Sequence, residues 1–261
     1  MQTTVEQAPR ALEQPFSTWT CRDLAQYLAA HGQAPVSAET VRRHLIELGY
    51  RIVRPVLSIA SPDPEYEVKV VLLEQLKAQA RCGQITLLFE DEVALNLLPG
   101  VISCWTKRSQ QRKVPTPGQN VKRYGFGAVN FMTGQLTHQI GEHKNSDNFI
   151  RLVEQIVATY CPDPVWQGPK VVLVIHNYII HRSQKTAAVL AKYADRLQVM
   201  ALPTYSLKLN LSERLWKHLR RKVTHNHLFD SIADLVAAVT HFLTDLDSRR
   251  SEVLSVIGNP Q

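Results

Sequence analysis

Six consecutive residues constrain this chain more than any others. Lys170-Val171-Val172-Leu173-Val174-Ile175 is apolar at five successive positions and mostly β-branched. It is too short for a helix and has no polar alternate positions. Such a run is buried on both faces, which makes it a central strand of a sheet covered on both sides. Gln84-Ile85-Thr86-Leu87-Leu88-Phe89 reads as a second, mostly buried strand and ends in Glu90-Asp91-Glu92. Strand-like pieces are predicted over 101–106 and 123–131, and Thr133-Gly134 turns the chain into another over 135–140. Leu197 to Leu202 is a last short strand. Helices are predicted over 146–160, where Phe149, Leu152, Val153, Ile156 and Val157 keep helical spacing, over about 183–194, from near Leu211, and over about 231–246. Strands grouped first as a meander and then alternating with helices imply an α/β fold, a mixed sheet flanked by helices.

Ahead of that domain, residues 1–18 are polar and without pattern, a disordered lead-in. Thr20-Cys21-Arg22-Asp23 is a capping-box variant, and Leu24, Tyr27 and Leu28 follow on one helical face until Gly32. Ser37 can cap a second helix to about Leu48, with Val41, Leu45 and Leu48 inward and Gly49 as the stop. Two short helices on a tight turn suggest a small all-α helix-turn-helix domain over 19–54, with Thr40, Arg42, Arg43 and His44 off its apolar stripe. An ordinary helical hairpin with a solvated basic face has the same pattern. Residues 55–66 carry three prolines and read as a linker, with a helix from Glu67 to Ala80 completing a connecting segment over 55–82. The α/β domain is expected over 83–261.

Thirty Lys and Arg against 23 Asp and Glu leave a net charge of +7, which suits a polyanionic partner. Cys21, Cys82, Cys104 and Cys161 are widely spaced, with no C-x-x-C pair, so neither a zinc ribbon nor a disulfide framework is indicated. No apolar run reaches bilayer length and no signal-peptide core opens the chain. A soluble, cytoplasmic protein with no membrane partner is expected.

Polar residues meet strand ends or a helix start in three places: Asp91-Glu92, His176-Asn177, and Glu213 in Asn210-Leu211-Ser212-Glu213. Ligands in sheet proteins gather at such ends. Each also has a plainer reading. Strand ends are polar where they emerge into water, Asn210-x-x-Glu213 matches a capping box, and a lone His176 can be a hydrogen-bonded structural residue.

The combination is more specific. Phe89-Glu90-Asp91-Glu92, Gly127-Ala128-Val129-Asn130 with Thr133-Gly134, Val174-Ile175-His176-Asn177 with His181-Arg182-Ser183, and Leu202-Pro203-Thr204-Tyr205-Ser206 with Leu209-Asn210 and Glu213-Arg214-Leu215-Trp216 occur in that order. Over residues 20–245 the chain resembles the mariner superfamily of DDE transposases, in its bacterial insertion-sequence branch. The resemblance implies a ribonuclease-H-like domain behind a helix-turn-helix, and three acids that hold two magnesium ions. The first acid falls on Asp91 and the third on Glu213. The second falls on His176, with 36 residues between it and Glu213, close to the family's separation. The family's Tyr-Ser-Pro and Asn-Pro turns are altered at Leu207 and Leu211, which relaxes the loop presenting Glu213. The resemblance also implies DNA partners (the element's inverted repeats and target DNA with a short TA site) and a homodimer on two ends. Family members often carry a further N-terminal DNA-binding segment, and the single helix-turn-helix here suggests a shortened start.

Phosphodiester cleavage and strand transfer need an activated oxygen nucleophile and a stabilised leaving oxygen, which two divalent ions about 4 Å apart can serve. Magnesium prefers oxygen ligands, whereas imidazole suits manganese, cobalt or zinc. His176 thus removes a charge and softens the ligand set, and manganese becomes an alternative ion. Strand alternation sets Glu90 and Glu92 on the face opposite Asp91, so neither is expected to compensate. Arg214, Lys217, Arg220, Arg221 and Lys222 crowd one helix beside an inward stripe of Trp216, Leu219 and Val223. Lys107, Arg108, Arg112 and Lys113 form a second basic stretch. Both are candidate phosphate contacts, and a solvated charge run is the plainer reading. His225 and His227 are read as polar helix-end residues. The leading expectation is a transposase. The alternatives are a catalytically inactive DNA-binding protein and a histidine-containing metal nuclease with altered ion preference.

Overall fold

The computed structural model describes residues 1–53, 61–163 and 165–259. Of the proline-rich stretch read as a linker, 55–60 fall outside the described residues. The chain divides into two compact units, 1–58 and 59–261.

The smaller unit contains α1 (Gln2–Val5), a single turn over Pro9–Leu12, α2 (Cys21–Ala30) and α3 (Ala38–Glu47). Both expected caps form. Thr20 and Asp23 close a capping box on α2, and Ser37 accepts the Thr40 N–H at the start of α3. Gly32 and Gly49 take φ of +80° and +85° at the two helix ends, where a Cβ would be strained. Leu24, Ala25, Leu28 and Val41 form the unit's core, with Met1, Val5, Trp19 and Leu45 against it. Two expectations need correction. Residues 1–12, expected to lack order, carry helical turns, and Trp19 Nε1 donates to the Gln7 carbonyl at 3.0 Å. Leu48, expected inward, is half exposed at 48%, because α3 ends at Glu47 and its stripe with it.

The larger unit opens with α4 (Tyr66–Arg81), which is part of this unit's core rather than a free connector: Leu73, Leu76 and Ala80 are buried on the sheet. The sheet has five strands in the order β3-β2-β1-β4-β5: β1 (Ile85–Asn96), β2 (Lys122–Asn130), β3 (Leu136–Gly141), β4 (Lys170–Ile175) and β5 (Leu197–Ala201). β1 is central, antiparallel to β2 and parallel to β4. Residues 101–106 are not a strand. They pair with no strand, Val101 is exposed and Trp105 is fully so, because a short apolar run without a partner cannot satisfy its backbone in a sheet.

Alternation along β1 divides the domain. Leu87, Phe89, Val93 and Leu95 join Val172 and Val174 on one face, covered by α4, α7 (Ser212–Leu219), α8 (Ile232–Ser248) and α9 (Arg250–Ile257). Leu88 joins Phe126, Ala128, Leu173 and Ile175 on the other, covered by α5 (Ser146–Tyr160) and by Tyr193, just beyond α6 (Gln184–Lys192). β4 is buried on both faces, as its sequence requires. Helix α7 continues into a π-helical turn over Arg220–Thr224, which was not expected, and α9 is a further helix the sequence reading did not separate.

Candidate functional site

The site forms where the ends of β1 and β4 meet the start of α7. The register Phe89↔Val174 places position 176, just past β4, level with Asp91 on the neighbouring strand. Helix α7 is tied to β1 by its own lead-in. Asn210 Nδ2 donates to the Glu90 carbonyl at 2.8 Å, and Ser212 Oγ donates to the Phe89 carbonyl at 2.6 Å. Asn210 Oδ1 in turn accepts the Ser212 N–H, and all of these groups are buried. The full capping box is not what forms: Leu211 at the N-cap gives no side-chain bond, and Asn210 divides its side chain between β1 and the Ser212 N–H. Glu213 is carried into the first turn of a helix fixed against the strand that bears Asp91. One turn on, Trp216 is completely buried beside β2 at Gly127, where a Cβ would come within 2.6 Å of its ring. That glycine is required by the close approach of α7 to the sheet.

The electrostatics report the convergence. Asp91 is pushed up to about 8, chiefly by burial and next by the charge of Glu213. Its Oδ2 is buried without a hydrogen-bond partner among the described residues. His176 Nδ1 stands 3.4 Å from Asp91 Oδ1. Asp91, His176 and Glu213 are therefore brought to one place.

The imidazole reaches further than Asp91. Its Nε2 lies 3.4 Å from Glu92 Oε2, on the opposite face of β1. The strand stays regular and its alternation holds, yet His176 sits beyond the end of β4 and reaches both faces past the strand's edge. Glu92 thus lies on the face opposite Asp91, as alternation requires, and the His176 imidazole is in reach of both. Beyond it, His181 Nε2 is 3.4 Å from Glu92 Oε1 and 3.9 Å from Glu90 Oε2. His181 is held by its edge on the Phe149 ring, 4.3 Å between centroids, and by a short helical turn over Ile179–Arg182 whose Ile180 carbonyl accepts from Ser146 and Thr186. Lys144 Nζ lies 3.4 Å from Glu92 Oε2 and 4.0 Å from the centre of the Tyr178 ring. Burial drives Glu90 well above the usual carboxylate range and Glu92 to about 7, Lys144 opposing the latter. Burial, with Lys144 adding, holds His176 down at about 4, and burial with His176 holds His181 at about 3.

His181, Lys144 and the two glutamates received no role from sequence reasoning. The available signal was three consecutive acids inside an otherwise apolar strand, two of which had to be buried on the α5 face.

The basic residues are more scattered. Lys107, Arg108, Arg112 and Lys113 are exposed on the irregular stretch between β1 and β2. Lys217 and Arg221 are exposed, while Arg220 is partly buried beside Gly100 and His225. Arg214 donates from Nη1 to the Ile257 carbonyl at 2.8 Å and so closes the end of α9. On α3, Arg42 is held by Glu39 through two bonds of 2.6 and 2.7 Å, and Arg43 is exposed.

Residues 86–236, with the central strand and the start of α7 inside them, match the family described as DDE superfamily endonuclease. The chain is also 34% identical over 242 residues to the insertion element IS630 uncharacterized 39 kDa protein of Shigella sonnei, covering 92% of this chain and 68% of that one. This chain belongs to the DDE superfamily of endonucleases. The Mos1 transposase paired-end complex with left transposon end shares its fold at a TM-score of 0.62 and 15% identity, over 96% of this chain and 78% of the other. The mariner Mos1 paired end complex with Mg does so at 0.62 and 16%, over 97% and 78%. The fold is thus the ribonuclease-H-like one that the mariner resemblance implied. Among the described residues no helix is long and apolar enough to cross a membrane.

Proposed function

We propose that this DDE-family chain is an insertion-sequence transposase that binds the ends of its element and performs divalent-metal-dependent DNA cleavage and strand transfer at Asp91 and Glu213, with His176 in the place of the second acid. The observation that carries this reading is the docking of α7 on β1 through Asn210 and Ser212, which brings Glu213 near enough for its charge to add to burial in raising the Asp91 carboxyl. Family membership, the insertion-element relative and the fold shared with transposase complexes on transposon ends support it. By the same likeness the partners are element-end and target DNA, with two copies of the chain on two ends, in the bacterial cytoplasm.

The donors fit a divalent ion. Asp91 Oδ2 is a buried acceptor with no hydrogen-bond partner among the described residues, and two adjacent acids repel until a cation joins them. Asp91 and Glu213 would hold it. When bound, such an ion activates a water or hydroxyl oxygen and stabilises the leaving oxygen. Asp91 has to release its proton to bind, so loading favours higher pH. His176 supplies a neutral imidazole where the family has a carboxylate, and its Nδ1 faces one Asp91 oxygen. One negative charge is missing and the ligand is softer, so manganese should serve better than magnesium. That same imidazole favours a second reading, a transposase that retains DNA binding and has lost magnesium-dependent cleavage.

A nicking assay on end-containing DNA in manganese tests the first reading. Cleavage by the unmodified chain should disappear in Asp91→Asn and in Glu213→Gln. Cleavage that persists in both would remove these acids from the reaction, and none in any metal would leave the binding-only reading.

A further inference from the structure

On the α5 face of β1, away from Glu213, the geometry points to a second metal centre: Glu90, Glu92, His176 and His181 form a site for one first-row transition-metal dication of the zinc class. One ligand atom from each of these four residues lies within 4.8 Å of the others. In a tetrahedral site with bonds of about 2.0–2.1 Å, neighbouring ligand atoms stand roughly 3.3–3.4 Å apart. His176 Nε2 to Glu92 Oε2 and His181 Nε2 to Glu92 Oε1 are both 3.4 Å, and His181 Nε2 to Glu90 Oε2 is 3.9 Å. Glu92 meets the two imidazoles through different oxygens, so either oxygen could face a shared ion, and all three separations are longer than a well-formed hydrogen bond.

The burial argues the same way. Glu90 and Glu92 side chains have no exposure and His181 has 2%. Both Glu90 oxygens and both His181 ring nitrogens lack a hydrogen-bond partner among the described residues. A buried carboxylate left unpaired is expensive, and a dication satisfies it. Two imidazoles with two carboxylates form a borderline donor set that selects zinc, cobalt or manganese over magnesium. His176 is the hinge of the arrangement. With Nε2 on the ion, its Nδ1, which makes no hydrogen bond among the described residues, faces Asp91 Oδ1 at 3.4 Å, the partner that a carboxylate–histidine–metal relay would use to fix its tautomer. His176 and Lys144 are each 25% exposed in their side chains and leave an entry path. Lys144, 3.4 Å from Glu92 Oε2, competes with the ion for that oxygen.

The inference stands on this face alone and does not depend on the cleavage reading. Its test is titration of the metal-free full chain with cobalt, followed by the visible absorption of the bound ion, and then displacement by zinc. One cobalt with a tetrahedral-type spectrum and Kd below about 1 µM is expected. Glu90→Gln and His181→Gln should each weaken binding by more than the roughly 10–100-fold that loss of an outer partner causes, with Asp91→Asn inside that range. Glu213→Gln should leave the spectrum intact, and Lys144→Met should tighten binding. If His181→Gln does not fold, Glu90→Gln, of nearly equal volume, and Lys144→Met decide the matter. Binding lost in Glu213→Gln but kept in Glu90→Gln would put the ion in the Asp91 site and overturn this one, as would the absence of tight cobalt binding. Failure of cleavage leaves these binding results untouched, so the two readings fall separately.

Discussion

At pH 7 the His176 imidazole is neutral, held near 4, while Asp91 beside it keeps its proton, at about 8. An unfolded chain would titrate Asp91 and Glu92 near 4. Between those limits the folded protein binds more protons, so this contribution to stability is present at low pH and is lost as pH rises through the folded values. His176 and His181 act oppositely: their lowered values give stability that is present above about 6.5 and lost as pH falls. The two sets offset each other between about 4 and 6.5, and only the carboxylates remain above it. The metal-free protein should therefore lose stability from about pH 6.5 to 8, by at most roughly 1.4 kcal/mol per pH unit for each proton released. Urea unfolding should show that slope flattened in Asp91→Asn. A slope identical in the variant would mean that Asp91 is already ionised at neutral pH.

The elements that place these residues rest on few contacts. Ser212 Oγ to the Phe89 carbonyl is a buried bond, and Ser212→Ala removes that donor. The variant should lose about 1–3 kcal/mol in denaturant unfolding, and manganese-dependent nicking should fall further, measured where the protein stays folded. Unaltered nicking would show that α7 holds Glu213 without this tether. Gly127→Ala should be similarly destabilising, because the Trp216 ring would have to move. Much of this level was legible in the sequence. The β4 run, the alternation in β1, and the caps at Thr20 and Ser37 are local signals, and they form as read. Other features depend on partners that no local pattern names. Val101 to Trp105 has strand-like residues but no strand to pair with. Arg214 reads as one more surface charge until Ile257 arrives to take it. His176 was singled out as the residue in the second acid's place, but its reach to Glu92 and His181 follows from its place beyond the end of β4.

Across the whole molecule, a net charge of +7 favours DNA, and the two compact units divide the work proposed here into end reading and chemistry. On α3 the Arg42–Glu39 pair is solvent-exposed, so its net strength is small and phosphate can replace the carboxylate. Replacing Arg42 and Arg43 with alanine should weaken end binding and reduce the slope of log K against log salt by about 1.8, two phosphate contacts at 0.9 each. An unchanged slope would remove α3 from the interface. The central claim, that the acids at Asp91 and Glu213 form a DDE site altered at one ligand, meets its most direct test in His176→Asp. If the imidazole forfeits about 4 kcal/mol of transition-state stabilisation, the unmodified chain in magnesium is roughly a thousandfold slower than the variant. A nicking assay on end-containing DNA in magnesium should therefore be nearly silent for the unmodified chain and active for His176→Asp, with equal DNA binding. Robust magnesium-dependent nicking by the unmodified chain, or a silent aspartate variant that binds DNA normally, would contradict it.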